Sequence, residues 1–175
     1  MTAPVFVDTN VLVYARDAGE PLKQARATEW LAYLWRERAG RISTQVLSEY
    51  YVSVTRKLRP GLPPQEAWDD VQALCAWRPQ AIDESVLRRG REIEARYELA
   101  WWDSLIVAAA QAQGCAVLLS EDLQDGGMYG GVLVRSPFTL ALEEDVAVYA
   151  VVPSAARGHP PRGRPRAGVR RATRV

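Results

Sequence analysis

Residues 116–122 read Ala-Val-Leu-Leu-Ser-Glu-Asp, a run of four apolar residues followed directly by polar ones. A short, continuously apolar run of this kind is typical of a strand that is covered on both faces of a parallel sheet. Residues 5–8, Val-Phe-Val-Asp, repeat the pattern near the start of the chain. Because helical segments separate these strands, the sequence predicts a three-layer α/β fold with a mostly parallel central sheet and flanking helices.

The predicted helices are marked by apolar residues at helical spacing and by capping and breaking residues. They are expected at 10–17, 22–38, from Thr44 to about Val54, 65–77, 84–98 and 104–113. Trp30 and Trp35 lie at core spacing, so both are expected to pack inside. Thr44 is a candidate N-cap. The glycine-rich stretch 126–131 predicts a loop before a last strand at 132–134.

The charges of the chain are distributed unevenly. Residues 154–175 contain seven arginines and no acid, which leaves 15 basic and 21 acidic residues in the rest of the chain. The same end of the chain is dominated by Pro, Gly, Ala and Arg, a composition that cannot offset the entropy of ordering itself. We therefore expect a folded domain over residues 1–145 and a disordered, arginine-rich tail over 153–175.

The residue inventory excludes several kinds of chemistry. The single histidine, His159, lies in the tail, so the body has no histidine for a Ser-His-Asp triad or a histidine-rich zinc site. The two cysteines, Cys75 and Cys115, argue against a disulfide scaffold and fit a reducing compartment. No signal-peptide pattern and no membrane span are apparent. We therefore expect a cytoplasmic protein with no membrane association.

Four acidic residues stand where the predicted fold would turn them inward. Asp8 and Asp122 follow the two apolar strands, and ligand sites of open α/β sheets lie outside the carboxyl ends of the strands. Asp103 shares the spacing of the apolar face of its helix, and Glu49 lies at the margin of another apolar stripe. Taken together, the four carboxylates are expected to converge on one cleft.

Each of these acids also has an ordinary structural explanation. Asp8 and Asp103 could be helix N-caps, a position that Asp favours. Glu49 could be a solvated helix residue. The acid after the second strand could be a turn residue, and its identity is left open among three neighbours: Asp122, Glu121 and Asp125.

Convergent carboxylates favour a divalent cation. Two carboxylates about 4 Å apart repel by roughly 4 kcal/mol at an effective dielectric of 20, so a cluster either takes up protons or binds an ion. Oxygen ligands without His or Cys suit Mg²⁺ or Mn²⁺. Such an ion activates water and screens the charge of a phosphodiester, which permits hydrolysis without a histidine.

The same residues resemble those of a known family. The stretch 7–12, Val-Asp-Thr-Asn-Val-Leu, is similar to the opening of PIN-domain ribonucleases. Three further stretches follow in the order of that family: Ser48-Glu49-Tyr50, the helix start at 102–110 and Ser120-Glu121-Asp122-Leu123. The resemblance covers about residues 4–140 and points to the VapC-like toxin branch.

This resemblance implies a PIN-like fold and a Mg²⁺- or Mn²⁺-dependent endoribonuclease that cleaves RNA. Asp8, Glu49 and Asp103 match the three core acids, and Asp122 matches the fourth. Four polar neighbours are expected to support the acids and the metal-bound water: Thr9, Asn10, Ser104 and Ser120. Toxins of this branch usually pair with a cognate antitoxin protein and form homodimers, and the same is expected here.

Two other classes of function stay open at the level of the sequence. The chain could be a non-catalytic module that binds RNA or a protein partner on the same fold. It could also be another acidic-site phosphohydrolase that acts on DNA or on small phosphate esters. A haloacid-dehalogenase-like phosphatase would need Asp-x-Asp after its first strand, and Asn10 stands at the second acidic position. The adjacent Trp101 and Trp102 could border the cleft, where an aromatic ring would stack on a base.

Overall fold

The central sheet has the predicted mostly parallel architecture. The computed structural model describes residues 2–139, and its five strands are β1 (Val5–Val7), β2 (Gly40–Arg41), β3 (Val117–Leu119), β4 (Met128–Tyr129) and β5 (Val132–Arg135). Their order is β2-β1-β3-β5-β4; β4 alone is antiparallel to its neighbour. Every residue of β1 and β3 is buried, as expected for strands that helices cover on both faces.

Six helices surround the sheet. They are α1 (Thr9–Tyr14), α2 (Pro21–Glu37), α3 (Thr44–Val52), α4 (Pro64–Leu74), α5 (Glu84–Tyr97) and α6 (Trp101–Ala112). A π-helical turn, Ser53–Lys57, follows α3, and a short 3₁₀ helix, Cys75–Trp77, follows α4. The predicted tail over 153–175, and the part of the predicted domain beyond residue 139, lie outside the described residues.

Two local predictions were wrong, for Thr44 and Trp35, and one alternative, an N-cap role for Asp103, is excluded. The N-cap of α3 is Ser43, not Thr44, because the extended Ser43 accepts a hydrogen bond from the Val46 amide at 3.3 Å. Asp103 caps no helix, since α6 already begins at Trp101. Trp35 is 41% exposed, whereas Trp30 is fully buried.

The glycine-rich stretch 126–131 is not only a loop, because it contains β4. Gly130 and Gly131 join β4 to β5, with φ angles of 57° and 88°. A two-residue hairpin turn of type I′ needs positive φ at both central residues, which glycine adopts without strain. The two glycines therefore close a hairpin at the edge of the sheet.

The strand order places the carboxyl ends of β1 and β3 side by side. From β1 the chain first crosses to β2 on one side and later to β3 on the other, with Val7 opposite Leu119. Such a switch point is where open α/β sheets bind ligands. The residues that follow the two strands, Asp8 and Ser120, therefore begin the candidate site. None of the helices formed by residues 2–139 combines the length and apolar character that a membrane crossing needs.

Candidate active site

Asp8 lies at the bottom of the cleft and is held by three donors. It is only 6% exposed. Its Oδ1 accepts the Thr9 amide at 2.7 Å, which makes it the N-cap of α1, and its Oδ2 accepts the Ser120 hydroxyl at 2.7 Å. The third donor is the Asn10 side-chain amide, at 3.1 Å from Oδ2. Asp8 is therefore both a helix cap and part of the acidic site.

The Asn10 side chain connects Asp8 to the acid that follows β3. Its Nδ2 also donates to Asp122 Oδ2 at 3.0 Å, and its Oδ1 accepts the Glu121 amide at 3.4 Å. The Ser120 hydroxyl accepts the Asp122 amide at 3.2 Å. The loop after β3 is thus bonded to the start of α1 through polar side chains, and Asp122 is turned toward Asp8.

The neighbours of Asp122 are engaged elsewhere. Glu121 forms an ion pair with Lys23. Asp125 accepts hydrogen bonds from Arg135, from the Ser136 amide and from Thr139. Of the three acids that the sequence left open, Asp122 is the one that lines the cleft.

Glu49 enters the same cleft from α3. Its Oε2 accepts the Thr9 hydroxyl at 2.9 Å, and its Oε1 accepts the Gln45 side-chain amide at 2.9 Å. Gln45 is buried and also donates to the backbone carbonyl of Trp102 at 3.2 Å, so it links α3 to α6. Gln45 was not among the site residues predicted from the sequence, although its position one turn before Glu49 permits this i, i+4 contact.

Asp103 faces the other acids from the first turn of α6. Within residues 2–139 its carboxylate accepts no hydrogen bond, and it lines the cleft with Asp8, Glu49 and Asp122. Ser104 does not support the acids, since it is fully buried and its hydroxyl donates to the Ala100 carbonyl at 3.0 Å.

The cleft disfavours negative charge in two of its carboxyls. Burial raises the pKa of Asp8 to about 6; hydrogen bonds from Ser120 and Thr9 oppose this shift, and the charges of Asp122 and Glu49 add to it. The pKa of Asp103 is also raised, first by burial and then by the same two charges. A cation in the cleft would relieve this repulsion.

The four acids share one cleft of about 930 Å³ but do not form a closed cage. Within residues 2–139, no group of three His, Cys, Asp or Glu side chains is arranged to hold a metal ion. The four carboxylates are therefore less closely grouped than the ligands of a preformed metal centre. The donor chemistry still fits Mg²⁺ or Mn²⁺, because Mg²⁺ usually keeps several waters and takes only one or two carboxylates from the protein.

Comparisons with known proteins agree with this architecture. Residues 5–124 match the model of the PIN domain family. The structure is similar to that of VapC20 from Mycobacterium tuberculosis, a toxin that cleaves the sarcin-ricin loop, with a TM-score of 0.55 and 19% identity over 74% of this chain and 98% of that one. It is also similar to a chain of a toxin–antitoxin complex from Klebsiella pneumoniae, with a TM-score of 0.55 and 20% identity over 77% and 98%. No curated protein matches the sequence.

Proposed function

Because this chain belongs to the PIN domain family, we propose that it is a Mg²⁺- or Mn²⁺-dependent endoribonuclease that hydrolyses RNA phosphodiesters. One observation carries the proposal: the Asn10 amide bonds Asp8 and Asp122, so that acids from two strand ends meet in the cleft that Glu49 and Asp103 also line. Acids gathered at a sheet switch point and held by neutral donors suit a cation-assisted reaction on a phosphate.

The proposed roles follow from these contacts. Asp8, Glu49, Asp103 and Asp122 would hold one or two ions, directly or through the waters that Mg²⁺ keeps. A bound ion lowers the pKa of water and screens the charge of the phosphodiester. Thr9 fixes the Glu49 carboxylate, and Asn10 and Ser120 fix Asp8. Since these donors orient the carboxylates without adding positive charge, they act as supports for the ligands.

We also propose that the chain is the toxin of a toxin–antitoxin pair. The support is the likeness to VapC20 and to a chain of a toxin–antitoxin complex, at a level of identity that by itself carries only the fold. On this proposal the chain acts in the cytoplasm, forms a homodimer and binds a cognate antitoxin protein. Co-expression with the product of an adjacent reading frame, followed by co-purification and a cleavage assay, tests the pairing.

The nuclease activity is tested with purified protein and total RNA. We expect cleavage in Mg²⁺ or Mn²⁺ and none in EDTA, and Asp8→Asn and Asp103→Asn should each abolish it while circular dichroism stays unchanged. Asp69→Asn is the matched control, because Asp69 is an exposed acid of α4 that does not line the cleft. Undiminished cleavage by either cleft variant would refute the assignment.

The same assay separates the alternative functions. A non-catalytic RNA-binding module would retain RNA without cutting it, and its affinity would depend on salt but not on divalent ions. A phosphohydrolase of another class would cleave single-stranded DNA or p-nitrophenyl phosphate in preference to RNA. Either outcome would replace the proposed activity.

A further inference from the structure

Trp102 is an exposed aromatic residue beside the acids. The residue is 62% exposed, yet it lines the same cleft as its neighbour Asp103. Val52 of α3 and Ile82 of the segment before α5 are among the other apolar residues that line the cleft. The cleft therefore combines carboxylates with apolar side chains, and Trp102 offers it an exposed aromatic surface.

The backbone of Trp102 is fixed by the structure around it. It stands in the first turn of α6, and the six residues from Leu105 to Ala110 in this helix are buried. Its backbone carbonyl accepts the Gln45 amide, and Gln45 also holds Glu49. The backbone of Trp102 is thus tied to two of the four acids, through its own helix to Asp103 and through Gln45 to Glu49.

An exposed indole beside the proposed phosphodiester-binding site is suited to stacking on a base. Every base has a π-face, and stacking on an aromatic side chain contributes to single-strand binding without regard to sequence. A base within a duplex has both faces covered by its neighbours, so only an unpaired or splayed base can reach the ring.

We propose that Trp102 stacks on an unpaired base next to the phosphodiester held at the acids. This inference rests on the proposed nuclease function for the position of the phosphodiester. It adds a substrate-binding residue that lies outside the set of acids and their supports. The stacking itself requires binding only, so it is measurable in the absence of cleavage.

The test is a binding titration with Ca²⁺ in place of Mg²⁺, and again in EDTA. The probes are a mixed-sequence 12-nucleotide RNA, the same RNA annealed to its complement, and an abasic ribose-phosphate chain of the same length. We expect Trp102→Ala to weaken binding of the single strand about 5- to 150-fold, with Trp102→Phe close to wild type. Binding of the abasic chain should not change.

The matched control is Trp68→Ala. Trp68 is 50% exposed on α4 and does not line the cleft, so its removal should leave all three affinities unchanged. Equal affinities of wild type and Trp102→Ala for the single strand would overturn the inference. So would an equal loss for the abasic chain, or a change of oligomeric state as the only effect of the substitution.

The outcome is separable from that of the proposed function. Trp102-dependent binding without cleavage in Mg²⁺ would retain the stacking and reject the nuclease. Cleavage with an unchanged KM in Trp102→Ala would retain the nuclease and reject the stacking.

Discussion

The side-chain amide of Asn10 donates a hydrogen bond to Asp122 at 3.0 Å, although 112 residues separate them in the chain. The same nitrogen donates to Asp8 at 3.1 Å, so one neutral donor lies between two carboxylates. Its electrical neutrality matters as much as its position, because a third carboxylate there would have no countercharge among these partners.

Asn10→Asp is therefore expected to destabilise the metal-free protein by a few kcal/mol. Each pair of close carboxylates repels by roughly 4 kcal/mol, and protonation of one of them relieves part of this repulsion. The measurement is urea unfolding in EDTA. Gln65→Glu is the matched control, because it places a carboxylate beside exposed Asp69 and should cost only a few tenths of a kcal/mol. Equal losses of unfolding free energy in the two variants would show that the two carboxylates beside Asn10 are not the cause of the destabilisation.

The two cysteines differ in the reactivity expected of them. Cys115 is buried, and burial raises the pKa of its thiol to about 12, so almost none is thiolate at pH 8. Cys75 is exposed. Ellman's reagent at pH 8 should therefore modify one thiol rapidly in the native protein and two after denaturation. The fast reaction should be absent from Cys75→Ser, and its persistence there would contradict the burial of Cys115.

The sequence was sufficient to predict β1, β3 and β5 and the gathering of acids in one cleft, because these depend on local patterns. Apolar runs mark β1 and β3, and Asp8 was conspicuous at the end of β1, whereas the acid after β3 stayed open among Glu121, Asp122 and Asp125 until the structure placed Asp122 in the cleft. The bridge through Asn10 was not predictable, since it depends on the register between strands distant in the chain.

Other errors come from interactions that periodicity does not encode. Helical spacing identified the apolar face of α2 but did not distinguish its centre, at Trp30, from its edge, at Trp35. The two-residue strand β4 exists through its pairing with β5, and the adjacent Gly130 and Gly131 were the available indication of a hairpin. The buried Gln45 resembles an ordinary polar helix residue until α3 and α6 are seen together.

Gly40 of β2 is expected to tolerate no side chain. A Cβ built there would lie 2.5 Å from two ring atoms of Trp77, which is 3% exposed. Gly40→Ala should therefore lower the free energy of unfolding by about 1–3 kcal/mol, as overpacked core positions do. Chemical denaturation measures the loss. In a Trp77→Leu background the same substitution should cost less, and an identical cost in both backgrounds would mean that the ring is not the obstacle.

Lys57 is the one basic residue among the described residues that line the cleft. If its ammonium group neutralises a phosphate of the bound RNA, Lys57→Gln should weaken binding of every single-stranded sequence to a similar extent. It should also reduce the slope of log affinity against log salt by about 0.7 to 1. Fluorescence anisotropy of a labelled 12-nucleotide RNA across a salt series, with Ca²⁺ in place of Mg²⁺, measures both effects. The control is Arg89→Gln, which removes an exposed positive charge of α5 away from the cleft. If both variants change the slope equally, the contribution of Lys57 is general attraction rather than a contact in the cleft.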